Sequence, residues 1–312
     1  MPPDSAHPAA FPSPSGGLEQ PAAPALRLPY SPPFSWPRLL AFLAGRATPG
    51  VERVAGGSYS RTVSVGGAPA VVTVSPAAGA PALEVRVHGA LPAKDTAARL
   101  RRLLDTDAPA EAIGRAFARD RLLARLLTRA PGVRVPGAWD GFELTVRAVR
   151  GQQVSVRAAT TLAGRIALRY GEVLHPPVRT AALVRLFPTP ERLCRARFNG
   201  IGIVGSRAET LRRIAAAALA GDLVFDPAQD PDDFRRALTA IRGVGDWTAQ
   251  YVSMRFLKDP DAMPVSDLGL LKALSRGTRA TPAELARRAE RWRPWRAYAA
   301  MLLWSLPEAG GG

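Results

Sequence analysis

The spacing of apolar positions changes near residue 92. Before it, Pro37 to Arg46 reads as a short amphipathic helix. Three strand-like runs follow, Tyr59 to Val65, Ala70 to Val74 and Leu83 to His88. The last alternates apolar and polar residues with period two, as a half-buried strand does. Gly66-Gly67 and Pro76 separate the runs, which predicts a small antiparallel sheet with a helix beside it. Beyond residue 92 the apolar period becomes helical, over Ala97–Leu104, Glu111–Arg129, Phe142–Tyr170 and Arg207–Ala220. Thr189, Asp230 and Thr281 each precede a proline and read as helix starts; Thr281-Pro-Ala-Glu matches the capping box. Residues 1–27 are rich in Pro, Ala, Ser and Gly without an apolar period, and are expected to form a disordered tail. The pattern predicts an α+β, mostly α chain: a β-rich unit over 28–112, a helical unit over 113–305, and a flexible end from 306 to 312.

Composition narrows the possibilities. The chain has 312 residues, 47% of them hydrophobic, enough to bury a sizeable core. Its single cysteine, Cys194, excludes an intramolecular disulfide and a cysteine-ligated zinc or iron–sulfur site. His7, His88 and His175 are too scattered to suggest a histidine metal site. With no apolar run of ~18 residues and no signal peptide, a soluble, cytoplasmic protein without a membrane partner is expected. There are 42 basic and 26 acidic residues, a net charge of +16. Residues 1–112 carry +2 of it and residues 113–312 carry +14. A basic field of that kind attracts polyanions. Only three of the basic residues are lysines, so an arginine-rich composition is the competing explanation.

Candidate chemistry concentrates between Phe234 and Arg255. This stretch reads as helix, then Gly243-Val244-Gly245, then a second helix from Asp246. Two glycines permit a tight turn and bare backbone N–H groups at the start of the second helix. Such a terminus can hold one backbone phosphate without reading sequence. The alternative is an ordinary corner with a glycine cap. Asp267 lies twenty residues beyond Trp247, at the head of an apolar helix. Helix capping is its simplest role, and capping would also fix the carboxylate in place. No P-loop, dinucleotide fingerprint or internal repeat is present.

Together these features resemble the helix-hairpin-helix DNA glycosylases, and in particular the 3-methyladenine DNA glycosylase II (AlkA-type) branch. The resemblance spans about residues 28–305. It rests on Pro29-Tyr30, Trp36, Phe42 to Arg46, Pro136-Gly137, Phe142, Val146-Arg147-Ala148, Gly151-Gln152, Val154 to Val156, Phe187 to Pro190, Gly243-Val244-Gly245, Trp247-Thr248-Ala249, Asp267 and Ala289 to Arg296. It implies a glycosylase of base excision repair that flips alkylated bases out of double-stranded damaged DNA and hydrolyses the glycosidic bond. By similarity Asp267 is the catalytic carboxylate, stabilising an oxocarbenium-like sugar. Trp247, Tyr251, Phe42 and Trp304 would line the base pocket, where aromatic faces suit a cationic base. Gly243, Val244, Gly245 and Thr248 would meet the DNA backbone.

Two departures from the family pattern stand out. Gln153 occupies the position of the usual leucine wedge, beside Gln152, and Ser266 stands where an acidic residue often precedes the catalytic aspartate. Trp247 fills the place of the lysine that bifunctional relatives use for Schiff-base chemistry, which implies a monofunctional enzyme without lyase activity. The family further implies a monomer, no metal for chemistry, and a monovalent cation held structurally at the hairpin. Excision of a sibling lesion such as hypoxanthine, or a silent lesion-binding module, are the competing readings.

Overall fold

The computed structural model describes residues 26–151, 155–203, 205–275 and 280–306. Its N-terminal part is a five-stranded antiparallel sheet. The strands are β1 (Leu26–Pro29), β2 (Glu52–Ala55), β3 (Ser58–Val65), β4 (Ala68–Pro76) and β5 (Ala82–His88), in the order β1-β5-β4-β3-β2. Tyr59 pairs with Val74 and Leu28 with Leu83, so the apolar sets of neighbouring strands fall on one face. That face packs against α1 (Trp36–Ala44) and α2 (Ala93–Leu104) through Trp36, Leu39, Leu43, Leu100 and Leu103. Trp139 joins the same core, so the sheet unit's packing reaches well past residue 112.

The rest is helical: α3 (Ala110–Phe117), α4 (Arg121–Arg129), α5 (Gly141–Gly151), α6 (Val156–Tyr170), α7 (Pro190–Cys194), α8 (Gly205–Ala220), α9 (Pro231–Ala240), α10 (Asp246–Val252), α11 (Leu268–Leu274), α12 (Pro282–Ala289) and α13 (Arg296–Trp304). They build two apolar cores. One joins α3, α4, α11, α12 and α13 around Phe117, Leu285 and Trp292. The other joins α5, α6, α8, α9 and α10 around Leu211, Phe234 and Val252. Tyr251 packs against both, so it marks the seam between them.

Several expectations change. The chain enters the sheet at Leu26, two residues inside the segment read as a tail. β1 and β2, four residues each, carry too little alternation to stand out. The run from Glu111 to Arg129 is two helices, because the Asp120 carboxylate caps α4, accepting from Leu122 N at 2.9 Å and Leu123 N at 3.2 Å. The run from Phe142 to Tyr170 is also two, with Ser155 capping α6. Leu306 N donates to the Leu303 carbonyl at the end of α13, so the expected flexible end starts inside a closed turn. The capping box at Thr281 and Glu284 is present as expected. Among the described residues no helix is long and apolar enough to cross a membrane.

Candidate active site

α9 begins where Asp230 accepts from Asp232 N and Asp233 N at 2.9 and 3.0 Å. It ends in the turn Ile241 to Gly245, and α10 follows at Asp246. Gly243 has φ +98°, and a Cβ there would lie 2.0 Å from Thr210 Oγ1. Glycine is therefore required on both conformational and steric grounds. Gly245 is exposed, and a Cβ on it would meet open space. Val244 is 7% exposed and anchors the turn in the core. Thr248 is 0% exposed, so its side chain is not at the surface that the resemblance assigned it. Past Val252 the helix widens into a π-helical turn, Ser253–Leu257.

The loop after this turn is tied back to α10, because Met263 N donates to Gln250 Oε1 at 3.1 Å. It delivers Asp267 to the head of α11. There Oδ1 accepts from Leu270 N at 2.9 Å, an ordinary cap. The same oxygen accepts from Trp304 Nε1 at 2.9 Å, and Oδ2 accepts from Trp247 Nε1 at 2.8 Å. Two indoles from two helices thus grip one carboxylate. Gly269 makes this possible, since a Cβ there would stand 3.1 Å from Asp267 Oδ1 and 3.3 Å from Trp304 Cδ1.

These groups line a cleft of about 890 Å³ on the seam between the two helical cores. Trp247 and Tyr251 stack with centroids 5.1 Å apart and planes 9° apart, and Trp304 meets Tyr251 edge-on at 6.3 Å. Asp267, Trp247, Tyr251 and Trp304, all named from the sequence, therefore share one site. Phe42 does not line it; the Arg46 guanidinium lies over the Phe42 ring at 3.8 Å and takes the place at the wall. Gln152 and Gln153 lie outside the described residues, although Ala148 and Ser155 on either side of them line the cleft.

Sequence reasoning assigned no role to three arginines that also line the cleft, Arg46, Arg147 and Arg255. Arg255 donates to the Pro136 and Gly137 carbonyls at 2.7 and 2.8 Å and to Tyr251 Oη at 2.6 Å. Burial would raise the Tyr251 phenol, but Arg255, Arg46 and Arg147 outweigh it and pull the pKa down to about 8. Arg147 pairs with Glu52 Oε2 at 2.9 Å and Glu143 Oε1 at 3.0 Å, and Arg61 pairs with Glu143 Oε2 at 2.7 Å. Glu52 and Arg61 belong to β2 and β3, so this buried network fastens the sheet unit to the cleft wall. Spacing held a clue to Arg255, which stands four residues beyond Tyr251 and eight beyond Trp247 on one helix. Lys258 is half-buried against Asp105, 2.9 Å away, and does not line the cleft. Its burial lowers the ammonium pKa. Among the described residues no group of three or more His, Cys, Asp or Glu side chains is placed to hold a metal.

The architecture is that of the helix-hairpin-helix DNA glycosylases. It superposes on the 3-methyladenine DNA glycosylase of Archaeoglobus fulgidus with a TM-score of 0.76, at 23% identity over 89% of this chain and 97% of that one. The 8-oxoguanine glycosylase/lyase of Clostridium acetobutylicum bound to DNA shares the fold with a TM-score of 0.65, at 16% identity over 82% and 86% of the chains. Residues 25–140 match the AlkA N-terminal domain family. DNA-3-methyladenine glycosylase 2 of Escherichia coli (strain K12) is 36% identical over 282 residues, 89% of this chain and 95% of that protein. The chain belongs to the AlkA, or DNA-3-methyladenine glycosylase 2, family. It is also 39% identical over 284 residues to a "Probable bifunctional transcriptional activator/DNA repair enzyme AlkA" of Mycobacterium tuberculosis (strain CDC 1551 / Oshkosh), matching 91% of this chain but 57% of that protein. The chain thus spans little more than half the length of that relative.

Proposed function

We propose that this chain is a monofunctional DNA glycosylase of base excision repair, acting on alkylated bases of the 3-methyladenine and 7-methylguanine type. The observation that carries the reading is Asp267 held between two indoles at the wall of an aromatic cleft, one helix away from the hairpin. A flipped base slides against the Trp247–Tyr251 stack, whose electron-rich faces favour a cationic ring. As the glycosidic bond opens, the electron pair leaves with the base and positive charge grows on the sugar. The Asp267 carboxylate, fixed by three N–H donors, stabilises that charge without reorganising. Water then adds to the sugar carbon and gives up a proton to solvent, leaving an abasic site and the free base.

The positions of the lysines support a reading without lyase chemistry. Trp247 occupies the position after the hairpin, Lys258 is tied to Asp105, and Lys272 is exposed on α11. The exposed turn at Gly243 and Gly245 presents backbone to a phosphate of duplex DNA, with Val244 as its anchor. The Ile241 carbonyl accepts from Val244 N and the Arg242 carbonyl from Thr210 Oγ1. Each keeps a lone pair suited to a monovalent cation, which would only bridge hairpin to phosphate. Gln152 and Gln153 between α5 and α6 are the proposed wedge, with an amide in place of an apolar side chain. Incubation with a methylated duplex and chromatography of the released bases tests the reading. Release of 3-methyladenine without strand cleavage is expected; binding without release would instead support a silent lesion-binding module.

A further inference from the structure

Three guanidinium groups line the cleft beside the aromatic stack, and they are not equivalent. Arg147 is committed to Glu52 and Glu143. Arg255, 5% exposed, spends its donors on two backbone carbonyls and the Tyr251 oxygen. Arg46 differs from both. It follows α1, half-buried, with its plane on Phe42. Among the described residues it has no carboxylate within ion-pair distance, and its guanidinium makes only a 3.5 Å contact to the Phe42 carbonyl. A planar fork of N–H donors therefore stands at the cleft, held by stacking and largely unspent. Arg46 also lies close enough to Tyr251 and Arg255 to perturb both electrostatically.

We propose that Arg46 is a specificity-determining residue that favours flipped purines bearing a carbonyl acceptor, and disfavours purines that enter the cleft already cationic. This rests on the glycosylase reading above. The chemistry distinguishes two lesion classes. A cationic base such as 3-methyladenine leaves as a neutral molecule and needs no partner for its electron pair. A neutral base such as hypoxanthine leaves as an anion, with the electron pair on the ring, and takes its proton from solvent afterwards. A guanidinium donating to the ring carbonyl strengthens its hydrogen bond as that anion develops. The same positive charge repels the cationic base before the bond breaks.

The test compares the wild type with Arg46→Gln and Arg46→Lys on two duplexes, one carrying hypoxanthine and one carrying 3-methyladenine. Single-turnover excision is measured with excess enzyme, alongside a thermal melt and a tyrosine absorbance titration. In Arg46→Gln the expected loss on hypoxanthine is about 10- to 100-fold, the range for one charge-assisted hydrogen bond. Excision of 3-methyladenine should not fall, and should rise by about twofold or more as the repulsion on the cationic base is lifted. Arg46→Lys, which keeps the charge but not the fork, should fall between. The Tyr251 titration should move upward in Arg46→Gln, which checks that the guanidinium stands beside the phenol. Equal loss on both duplexes, no loss on either, or a wild type that releases 3-methyladenine but no hypoxanthine would each overturn the proposal. A wild type that releases neither base overturns the glycosylase reading itself.

Discussion

Replacing Asp267 with asparagine separates its structural from its chemical role, because the two residues have the same shape. Asp267 accepts three hydrogen bonds: two at Oδ1, from Leu270 N and Trp304 Nε1, and one at Oδ2, from Trp247 Nε1. An asparagine has one oxygen to place among these donors. Set toward Leu270 and Trp304, it keeps the cap and one indole and turns its NH2 group on the Trp247 N–H. The opposite orientation would set NH2 against two donors, so the first is favoured. Asparagine caps helices about as well as aspartate, so the cap itself costs almost nothing. One bond becomes a donor–donor conflict in a half-buried place, which costs about 1–3 kcal/mol. The protein should therefore fold, with melting lowered by only a few degrees.

Activity should respond far more strongly. Removing one preorganised electrostatic partner of a transition state typically costs ~10²–10³ in rate. The loss here should be at least that large, because a full charge disappears. Single-turnover release of methylated base, measured beside a thermal melt, reads both effects. Release by Asp267→Asn within about threefold of wild type would refute the assignment, given that scale. A collapse in stability of more than ~5 kcal/mol would refute the hydrogen-bond argument, since no such loss follows from one exchanged atom.

Three further outcomes follow from geometry already described. Gly243→Ala should destabilise by several kcal/mol, because φ is +98° and Thr210 Oγ1 occupies the space; Gly245→Ala meets nothing and should melt like the wild type. A melt of the two variants side by side decides it. A tyrosine should titrate near pH 8 by ultraviolet absorbance and vanish in Tyr251→Phe. Since this phenol ionises more readily folded than unfolded, its stabilisation appears as pH rises through about 8 and is complete above about 10. Glu52→Gln leaves Arg61 and Arg147 to share Glu143, and should cost roughly 3–5 kcal/mol in denaturant unfolding. Arg147 and Arg61 outweigh burial and hold the Glu52 pKa below 4.5, so its contribution is present above pH 4.5 and drains away below it.

The parts of this molecule that local rules govern were legible in its residues. The Thr281 capping box, the cap at Asp230 and strands β3 to β5 stand where pattern places them. Their signals lie within a few residues of the elements they set. β1 and β2 are held by pairing with distant partners, which no local spacing records. At the site, Asp267 and the three cleft aromatics were reachable through the resemblance to the helix-hairpin-helix glycosylases; by spacing alone Asp267 reads as a helix cap and the aromatics as core. The cleft arginines were not assigned, since arginine is so abundant here that even Arg255, at helical spacing from Tyr251, is lost among the others. Arg46 is distinguished only by lacking what Arg147 possesses, a carboxylate brought from another strand.

The wide turn at Ser253–Leu257 bears on how this family can change length. Insertions and deletions are usually read from surface loops. A π-helical turn is in effect one extra residue absorbed inside a helix. Removing one residue from it would restore regular α-helical bonding, so the segment should still fold. The helix on either side would keep its register, because the wider turn is what takes up the extra residue. Arg255 lies inside the turn, so its bond to the Tyr251 oxygen is the contact such a change would touch first. The loop beyond would still deliver Asp267 to its two indoles, so a one-residue deletion in this turn should fold and keep the carboxylate in place.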